Sequence, residues 1–216
     1  MVKLVMSIRI RKALLSAAIA FAGVVMGGNV DARAQQFSAN IVVEREGGRT
    51  SAGRVFVLEG KTRIETPELA DGFFLMDRAG QTAYFVRRNG RVYMDARQSS
   101  PFTRLLVPVD PVDPCRQWQA MADVAGIVGQ GDLRCERIGE EAFDGRDAVV
   151  FRVVSGSEEI LSGWIDRERG FPLRVRTAGG IVTSLENVKD EPQLASSFEL
   201  PQNARKFSPE LSLIHI

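Results

Sequence analysis

Apolar and polar residues alternate along most of this chain. In residues 171–176, for example, the alternation predicts that Phe171, Leu173 and Val175 lie on one side of a strand. A period of two is typical of strands with one buried face. Turn signals such as the Asn-Gly pair at 89–90 separate the apolar runs. Their spacing predicts about ten antiparallel strands, arranged as a sandwich, a barrel or a large curved sheet.

Several predicted strands are apolar on both faces. Consecutive apolar residues occupy 55–58, 73–76 and 148–151. Such a strand needs cover on both sides, so a helix, a second layer or a ligand must lie against each face. We therefore regard Phe73 and Leu75 as candidates to line an apolar cavity, with close packing in the core as the alternative.

The middle of the chain predicts a helical insertion. A helix is expected over 114–128, with Asp113 as its N-cap and proline as its first residue. Its apolar stripe consists of Trp118, Met121, Ala122 and Ala125. Before it, residues 100–107 predict a short helical turn, and the proline-rich segment 108–114 predicts an extended connector.

Three further side chains join the cavity candidates. Trp118 and Met121 would face any cavity beneath the predicted helix, and Trp164 stands beside a predicted turn. Ordinary core packing is the alternative for all three, because aromatic and methionine side chains fill cores well.

The N-terminus has the three-part pattern of a secretory signal peptide over residues 1–34. Basic residues precede an uncharged apolar run at 13–26, and small residues end at Ala34. The run is too short to span a bilayer comfortably. We expect cleavage between Ala34 and Gln35, export to the periplasm, and no stable membrane anchor afterwards.

A single domain is predicted over residues 35–205, followed by a tail at 206–216. The final segment, 211–216, resembles a translated sequencing-library adapter and is interpreted as an artefact, with a short apolar tail as the alternative. His215 is the only histidine in the chain and lies in that segment. Without it, the mature domain has no imidazole.

Charge and cysteine content narrow the class of protein. The chain has 28 basic and 27 acidic residues, and removal of the signal would leave a net charge of −3. There is then no basic surplus to neutralise phosphates, so nucleic acid is not an expected partner. An even pair of cysteines in an exported domain predicts one disulfide, between Cys115 in the helix and Cys135 in the next strand.

The sequence offers little for catalysis. Without His215 no Ser-His or Cys-His pair can form, and two cysteines alone make a weak metal site. We therefore expect no metal, no other cofactor and no enzymatic activity. A carboxylate-dependent enzyme is the least favoured alternative, because the adjacent acidic pairs lie at predicted turns or strand ends. These pairs are Glu140-Glu141, Glu158-Glu159 and Asp190-Glu191.

Four short stretches carry a resemblance to a known family. They are FSA at 37–39, GRVFV at 53–57 with KTRIE at 61–65, WID at 164–166 with GFPLR at 170–174, and SFELP at 197–201. Together they resemble the LolA/LolB-like superfamily of periplasmic lipoprotein carriers, and most of all its exported relatives without an assigned function. The resemblance implies a strongly curved antiparallel sheet, an incomplete barrel, closed on its concave side by helices.

The same resemblance implies a function. The hollow of these proteins binds acyl chains or other apolar ligands. A binding or carrier protein for an apolar ligand, such as a lipid or the acyl chain of a lipoprotein, is therefore expected. An envelope-sensing or protein-interaction module on the same fold is the alternative, and the sequence identifies no protein partner. Two features depart from the carriers: no helix precedes the first strand, and the disulfide-linked helix has no counterpart that we can place.

Overall fold

The structure is a computed structural model that describes residues 36–124 and 133–207. Twelve strands in these residues form one curved, open sheet that does not close into a barrel. They are β1 (Gln36–Arg45), β2 (Gly48–Leu58), β3 (Lys61–Glu65), β4 (Gly72–Asp77), β5 (Thr82–Arg87), β6 (Val92–Asp95), β7 (Leu133–Phe143), β8 (Arg146–Ser155), β9 (Glu158–Asp166), β10 (Phe171–Thr177), β11 (Val182–Asp190) and β12 (Arg205–Lys206). The predicted signal peptide, its cleavage site and the adapter-like segment lie outside the described residues.

Helices interrupt the strands in the middle of the chain, as predicted. They are α1 (Phe102–Leu105) and α2 (Pro114–Val124), and two short 3-10 helices span Pro67–Leu69 and Ala195–Phe198. The predicted fold class, a curved antiparallel sheet with a helical insertion, is thus confirmed, with twelve strands where about ten were expected.

The sheet consists of two antiparallel meanders that meet at its centre. The strand order is β12-β6-β5-β4-β3-β2-β1-β11-β10-β9-β8-β7. The meanders join where β1 pairs with β11, which places Phe37 opposite Asp190. Within the described residues only β12 runs parallel to its neighbour, β6. The first and last long strands of the domain therefore lie side by side.

Two-residue turns close several hairpins. Glu59 and Gly60 have φ values of 45° and 90°, and Asp144 and Gly145 have values of 49° and 73°. Left-handed conformations at both turn positions match the right-handed twist of the flanking strands. These turns lie where the sequence predicted them.

The predicted Asn89-Gly90 turn closes a hairpin, but its loop has four residues rather than two. Backbone N–H groups of Arg88 and Asn89 donate to the main-chain and side-chain oxygens of Asp71, at 3.0 and 3.3 Å. The amide of Arg91 in turn donates to the carbonyl of Arg88 at 3.3 Å. Asp71, which directly precedes β4, thus binds two amides of this loop.

The side of the sheet that faces α1 and α2, here called the helical face, carries the main core. Side chains from β1, β2, β3, β4, β8, β9, β10 and β11 meet those of both helices there. Near its centre the rings of Phe37 and Phe171 make an edge-to-face contact with centroids 5.2 Å apart. This face is therefore filled mainly by its own side chains.

Strands that are apolar on both faces are covered on both. In β4, Phe74 and Met76 belong to the main core, whereas Phe73 and Leu75 form a second cluster with Phe198 from the last 3-10 helix. A third cluster lies beneath the other half of the sheet. It consists of Ala148, Val150, Trp164 and Leu173, with Phe143 and Val188 at its margin.

Leu173 does not share a face with Phe171 and Val175, so the sequence prediction for this strand is wrong at that residue. The register between β10 and β9 shifts between Pro172 and Arg174. The extra residue of this bulge moves Leu173 into the third cluster, while Phe171 and Val175 stay in the main core.

The connector between α1 and α2 is fixed to the turn that follows β9. The amide of Val109 donates to the carbonyl of Gly170 at 2.7 Å, and Gly170 has a φ of 57°. A Cβ atom on Gly170 would lie 2.6 Å from the Val109 carbonyl oxygen. Only glycine therefore allows both the left-handed backbone and this close approach.

An ion cluster holds the same turn, in which Arg169 and Asp166 are buried and Asp190 is exposed. The guanidinium of Arg169 donates to Asp166 at 2.9 Å and to both carboxylate oxygens of Asp190 at 2.9 and 2.8 Å. Burial raises the pKa of Asp190, but the hydrogen bonds and charge of Arg169 outweigh it and hold that pKa below its usual value. The turn after β9 is thus tied to the end of β11.

Replacing Gly170 by alanine should lower the free energy of unfolding by about 2 kcal/mol, because the left-handed backbone and the contact with Val109 both become unfavourable. Urea denaturation of the mature protein measures the change. Gly180→Ala is the matched control, since Gly180 has a φ of 79° and open space around its Cβ position. Equal losses in the two variants would contradict the importance of the Val109 contact.

Candidate functional site

α2 confirms the predicted helix as far as residue 124, and the rest of the predicted range lies outside the described residues. At its start the carboxylate of Asp113 accepts a hydrogen bond from the amide of Arg116 at 3.4 Å, as expected of an N-cap. The inward side chains Trp118, Met121 and Ala122 are buried. The helix therefore presents these three residues of its predicted stripe to the sheet, and the fourth, Ala125, lies outside the described residues.

The predicted disulfide between Cys115 and Cys135 is confirmed. Their Cα atoms are 5.5 Å apart, and the bond joins the first turn of α2 to the edge strand β7. One helical turn later, the side-chain oxygen of Gln119 accepts a hydrogen bond from the amide of Leu133 at 3.0 Å. α2 is thus held along one side of the sheet by a covalent and a polar link.

Trp118 positions both helices. A Cβ atom on Gly163 would lie 2.7 Å from the indole, so the ring occupies space that any side chain there would take. The indole N–H donates to the carbonyl of Leu105 at 3.3 Å. Trp118 therefore connects α2, the strand β9 and the end of α1.

α1 is a single helical turn with few anchors. The Thr103 hydroxyl lies 2.7 Å from the Ser100 carbonyl oxygen and 3.3 Å from that of Ala96. The guanidinium of Arg104 donates to the carbonyl of Arg97 at 3.1 Å. Thr103 is fully buried, whereas Leu105 is only half-buried. The side of α1 that carries Leu105 is therefore partly accessible to solvent.

Two apolar hollows lie on either side of α1 on the helical face. One, of about 230 Å³, is enclosed by α1 and by strands β1, β10 and β11. The other, of about 180 Å³, is enclosed by α1, α2 and strands β7, β8 and β9. Both are lined by Pro101, Leu105 and Thr177. The inner edge of α1 is thus the partition between them, and we take the pair as the candidate site.

Each hollow has one arginine in its wall. Arg45 lines the larger hollow and Arg104 the smaller one, and the remaining walls are apolar apart from serine and threonine hydroxyls. Burial lowers the pKa of the Arg104 guanidinium from its ordinary value. The site therefore combines an apolar interior with two cationic positions.

The five cavity candidates from the sequence do not come together. Trp118 lines the smaller hollow, and Met121 lies in the main core beside it. Phe73 and Leu75 belong to the second cluster, on the far side of the sheet. Trp164 lies in the third cluster. The five residues thus fall into three separate groups. That they contact a ligand remains a prediction.

Trp164 has a well-defined packing role. Its indole N–H donates to the carboxylate of Glu141 at 2.7 Å. The guanidinium groups of Arg174 and Arg176 lie 5.2 and 5.8 Å from the ring centroid, within the range of cation–π contacts. Polar partners on β7 and β10 therefore surround this side chain.

The candidate residues that sequence reasoning missed lie in and around α1. Pro101, Phe102, Arg104 and Leu105 all line the hollows. One signal was available, since Arg104 directly precedes the apolar run at 105–107. A charge among apolar residues on a single helical turn indicates a side chain at the margin of the core.

The three acidic pairs do not share one hollow: Asp190 and Glu191 line a hollow of about 420 Å³, and the other two pairs do not line it. Glu140 forms ion pairs with Arg137 and Arg167, and Asp190 is engaged by Arg169. A hollow of about 470 Å³ beside the turn after β9 is lined largely by charged residues. In residues 36–124 and 133–207, no three histidine, cysteine, aspartate or glutamate side chains form a group that could hold a metal ion.

The chain resembles known proteins in its structure and not detectably in its sequence. No protein-family model matches the chain, and no curated protein is significantly similar in sequence. PNGF-II superposes with a TM-score of 0.50 at 10% identity, over 83% of this chain and 33% of its own. The Pseudomonas aeruginosa MucA/MucB complex gives 0.41 at 18% identity, over 79% and 57%. An outer membrane lipoprotein-sorting protein domain from Vibrio parahaemolyticus gives 0.37 at 11%, over 79% and 93%.

The architecture agrees with the one that the sequence motifs implied. The four motif stretches lie in β1, in β2 and β3, in β9 and β10, and at the last 3-10 helix. At 10% identity the likeness to PNGF-II concerns the fold alone, and this chain spans only 33% of the PNGF-II chain. Among the described residues, no helix is long and apolar enough to cross a membrane.

Removing the disulfide should destabilise the domain. We expect the double variant Cys115→Ser/Cys135→Ser to lose about 3 kcal/mol of unfolding free energy, because the bond closes a loop of 20 residues. Urea denaturation measures the loss. A reducing agent should lower the stability of the wild type but leave that of the variant unchanged. A variant as stable as the oxidised wild type would refute the prediction.

Proposed function

We propose that this protein is an exported, non-enzymatic binding or carrier protein for an apolar ligand, such as a lipid or an acyl chain of a lipoprotein. The ligand is bound around α1. The pair of apolar hollows that meet at Leu105 and Thr177 carries this proposal.

The size of the hollows supports a slender ligand. Each hollow alone is smaller than the roughly 300–1,000 Å³ of an ordinary ligand pocket. Taken together, the two reach the lower part of that range. A single acyl chain that passes from one hollow to the other has to displace the inner edge of α1. Each buried CH₂ group then contributes about 0.8 kcal/mol to binding.

The difference between the two helices supports this movement. α2 is fixed by the disulfide, by Gln119 and by the packing of the Trp118 ring against Gly163. Movement of α1 therefore requires that the hydrogen bond from Trp118 to the Leu105 carbonyl breaks. α1 has one turn, which is too short to be stable on its own. In our proposal α2 remains in place and α1 moves when the ligand enters.

Export to the periplasm is the second element of the proposal. The N-terminal pattern is typical of a signal peptide, and disulfides persist in oxidising compartments outside the cytoplasm. The Cys115–Cys135 bond is therefore consistent with folding after export. A non-enzymatic role is supported by the engagement of acidic side chains such as Glu140 and Asp190 in ion pairs.

A protein-interaction module is the second candidate. Strand β7 favours it, because this eleven-residue strand forms an edge of the sheet and most of its side chains are exposed. Such an edge can accept a strand from another chain. A bulge in β7 between Arg137 and Gly139 and several charged side chains oppose such pairing. We therefore place apolar-ligand binding first.

Filling the space between the hollows should weaken binding. In Leu105→Trp, the larger side chain occupies the position that both hollows share. We expect the affinity for a fluorescent fatty acid to fall at least about tenfold, as it would with the loss of two buried CH₂ groups. Fluorescence titration of the mature protein measures the affinity.

The matched control is Leu194→Trp. Leu194 is 74% exposed and lines neither hollow, so the same substitution there should leave affinity unchanged. Thermal unfolding verifies that both variants fold. If the wild type binds no fatty acid, the apolar-ligand proposal is wrong, and the interaction module becomes the preferred function.

A further inference from the structure

The charge of the candidate site is unbalanced. Neither hollow has an aspartate or glutamate in its wall, although each has an arginine. Many arginines of this domain are paired with carboxylates, for example Arg63 with Glu65 and Arg169 with Asp190. An apolar wall with an isolated guanidinium is unsuited to a purely hydrocarbon ligand, because burying that ligand also removes water from an unpaired charge.

Arg104 is the less hydrated of the two cations. Its side chain is half-buried, and its hydrogen bond is to a neutral acceptor, the Arg97 carbonyl. Within the described residues, no carboxylate lies within ion-pair distance of Arg104 or Arg45. Burial also lowers the Arg104 pKa without a compensating acidic neighbour. An anion at this position would restore the balance.

Arg45 differs in its surroundings. It lies at the end of β1, is exposed, and faces the larger hollow. Exposed ion pairs contribute little to binding because water and salt screen them. A partly desolvated guanidinium contributes more, and its planar fork fits a carboxylate or phosphate. Arg104 is therefore the residue that can select a headgroup.

We propose that the ligand is a single-chain anionic amphiphile whose headgroup pairs with Arg104 while its acyl chain lies in the hollows beside α1. This inference rests on the proposed function and adds a ligand class to it. A fatty-acid carboxylate and the phosphate of a lysophospholipid share the required chemistry. The two sources differ in headgroup size and charge, so they can be compared directly.

The experiment measures affinity for three ligands with the same chain: dodecanoate, dodecanol and dodecanoyl lysophosphatidate. Each displaces an uncharged fluorescent probe from the mature protein, at a pH where the carboxylate is ionised. We expect dodecanoate to bind roughly tenfold more tightly than dodecanol, the effect of one hydrogen bond to a charged group. Tighter binding of the lysophosphatidate than of dodecanoate would identify phosphate as the preferred headgroup.

Two substitutions assign the preference to Arg104. Arg104→Gln should remove most of the roughly tenfold difference between dodecanoate and dodecanol, while dodecanol binds as before. Arg104→Lys keeps the charge without the fork and should retain part of the difference. Arg45→Gln should change dodecanoate binding by no more than about threefold. Arg78→Gln is a control, because Arg78 lines neither hollow.

The outcomes separate the two proposals. Equal binding of dodecanoate and dodecanol by the wild type would overturn the anionic headgroup but leave apolar-ligand binding intact. A preference that survives in Arg104→Gln would overturn the assignment to Arg104. If the wild type binds none of the three ligands, both proposals fail. Thermal unfolding of each variant excludes misfolding as the cause of a lost preference.

Discussion

The contact between the indole of Trp118 and the backbone at Gly163 determines how closely the helical layer approaches the sheet. A side chain on Gly163 would displace the ring. The displacement would also remove the hydrogen bond to the Leu105 carbonyl, which holds the end of α1. The wide, rigid ring fills the space between α2 and β9, and the two hollows lie beside α1.

Local sequence information was sufficient for much of the fold. Period-two alternation, paired turn residues such as Asp144-Gly145, and the cap at Asp113 each act over a few residues, and their predictions agree with the structure. The cysteine pair was equally clear, because an exported domain with two cysteines has one simple solution. These features depend on backbone conformation and chain connectivity, which neighbouring residues largely decide.

Long-range contacts account for what the sequence did not predict. The four-residue loop around Asn89 is held by Asp71, and the bulge at Leu173 depends on the register of β10 against β9. The site was harder still. Alternation separates Phe73 from Phe74, but only the assembled sheet decides which of them faces α2. Arg104 and Leu105 belong to one helical turn, which is too short to have a recognisable period.

The pairing of β1 with β11 has a consequence for how the chain folds. The two strands are neighbours in the sheet, yet almost the whole domain separates them in sequence, as the contact between Phe37 and Asp190 illustrates. Closing so long a loop is entropically unfavourable and slows folding. If the chain emerges from its N-terminus, β1 has an open, largely apolar edge until β11 arrives. While the protein is being made, that edge must therefore be protected from pairing with other chains. The need for protection ends when β11, the last long strand, joins the sheet.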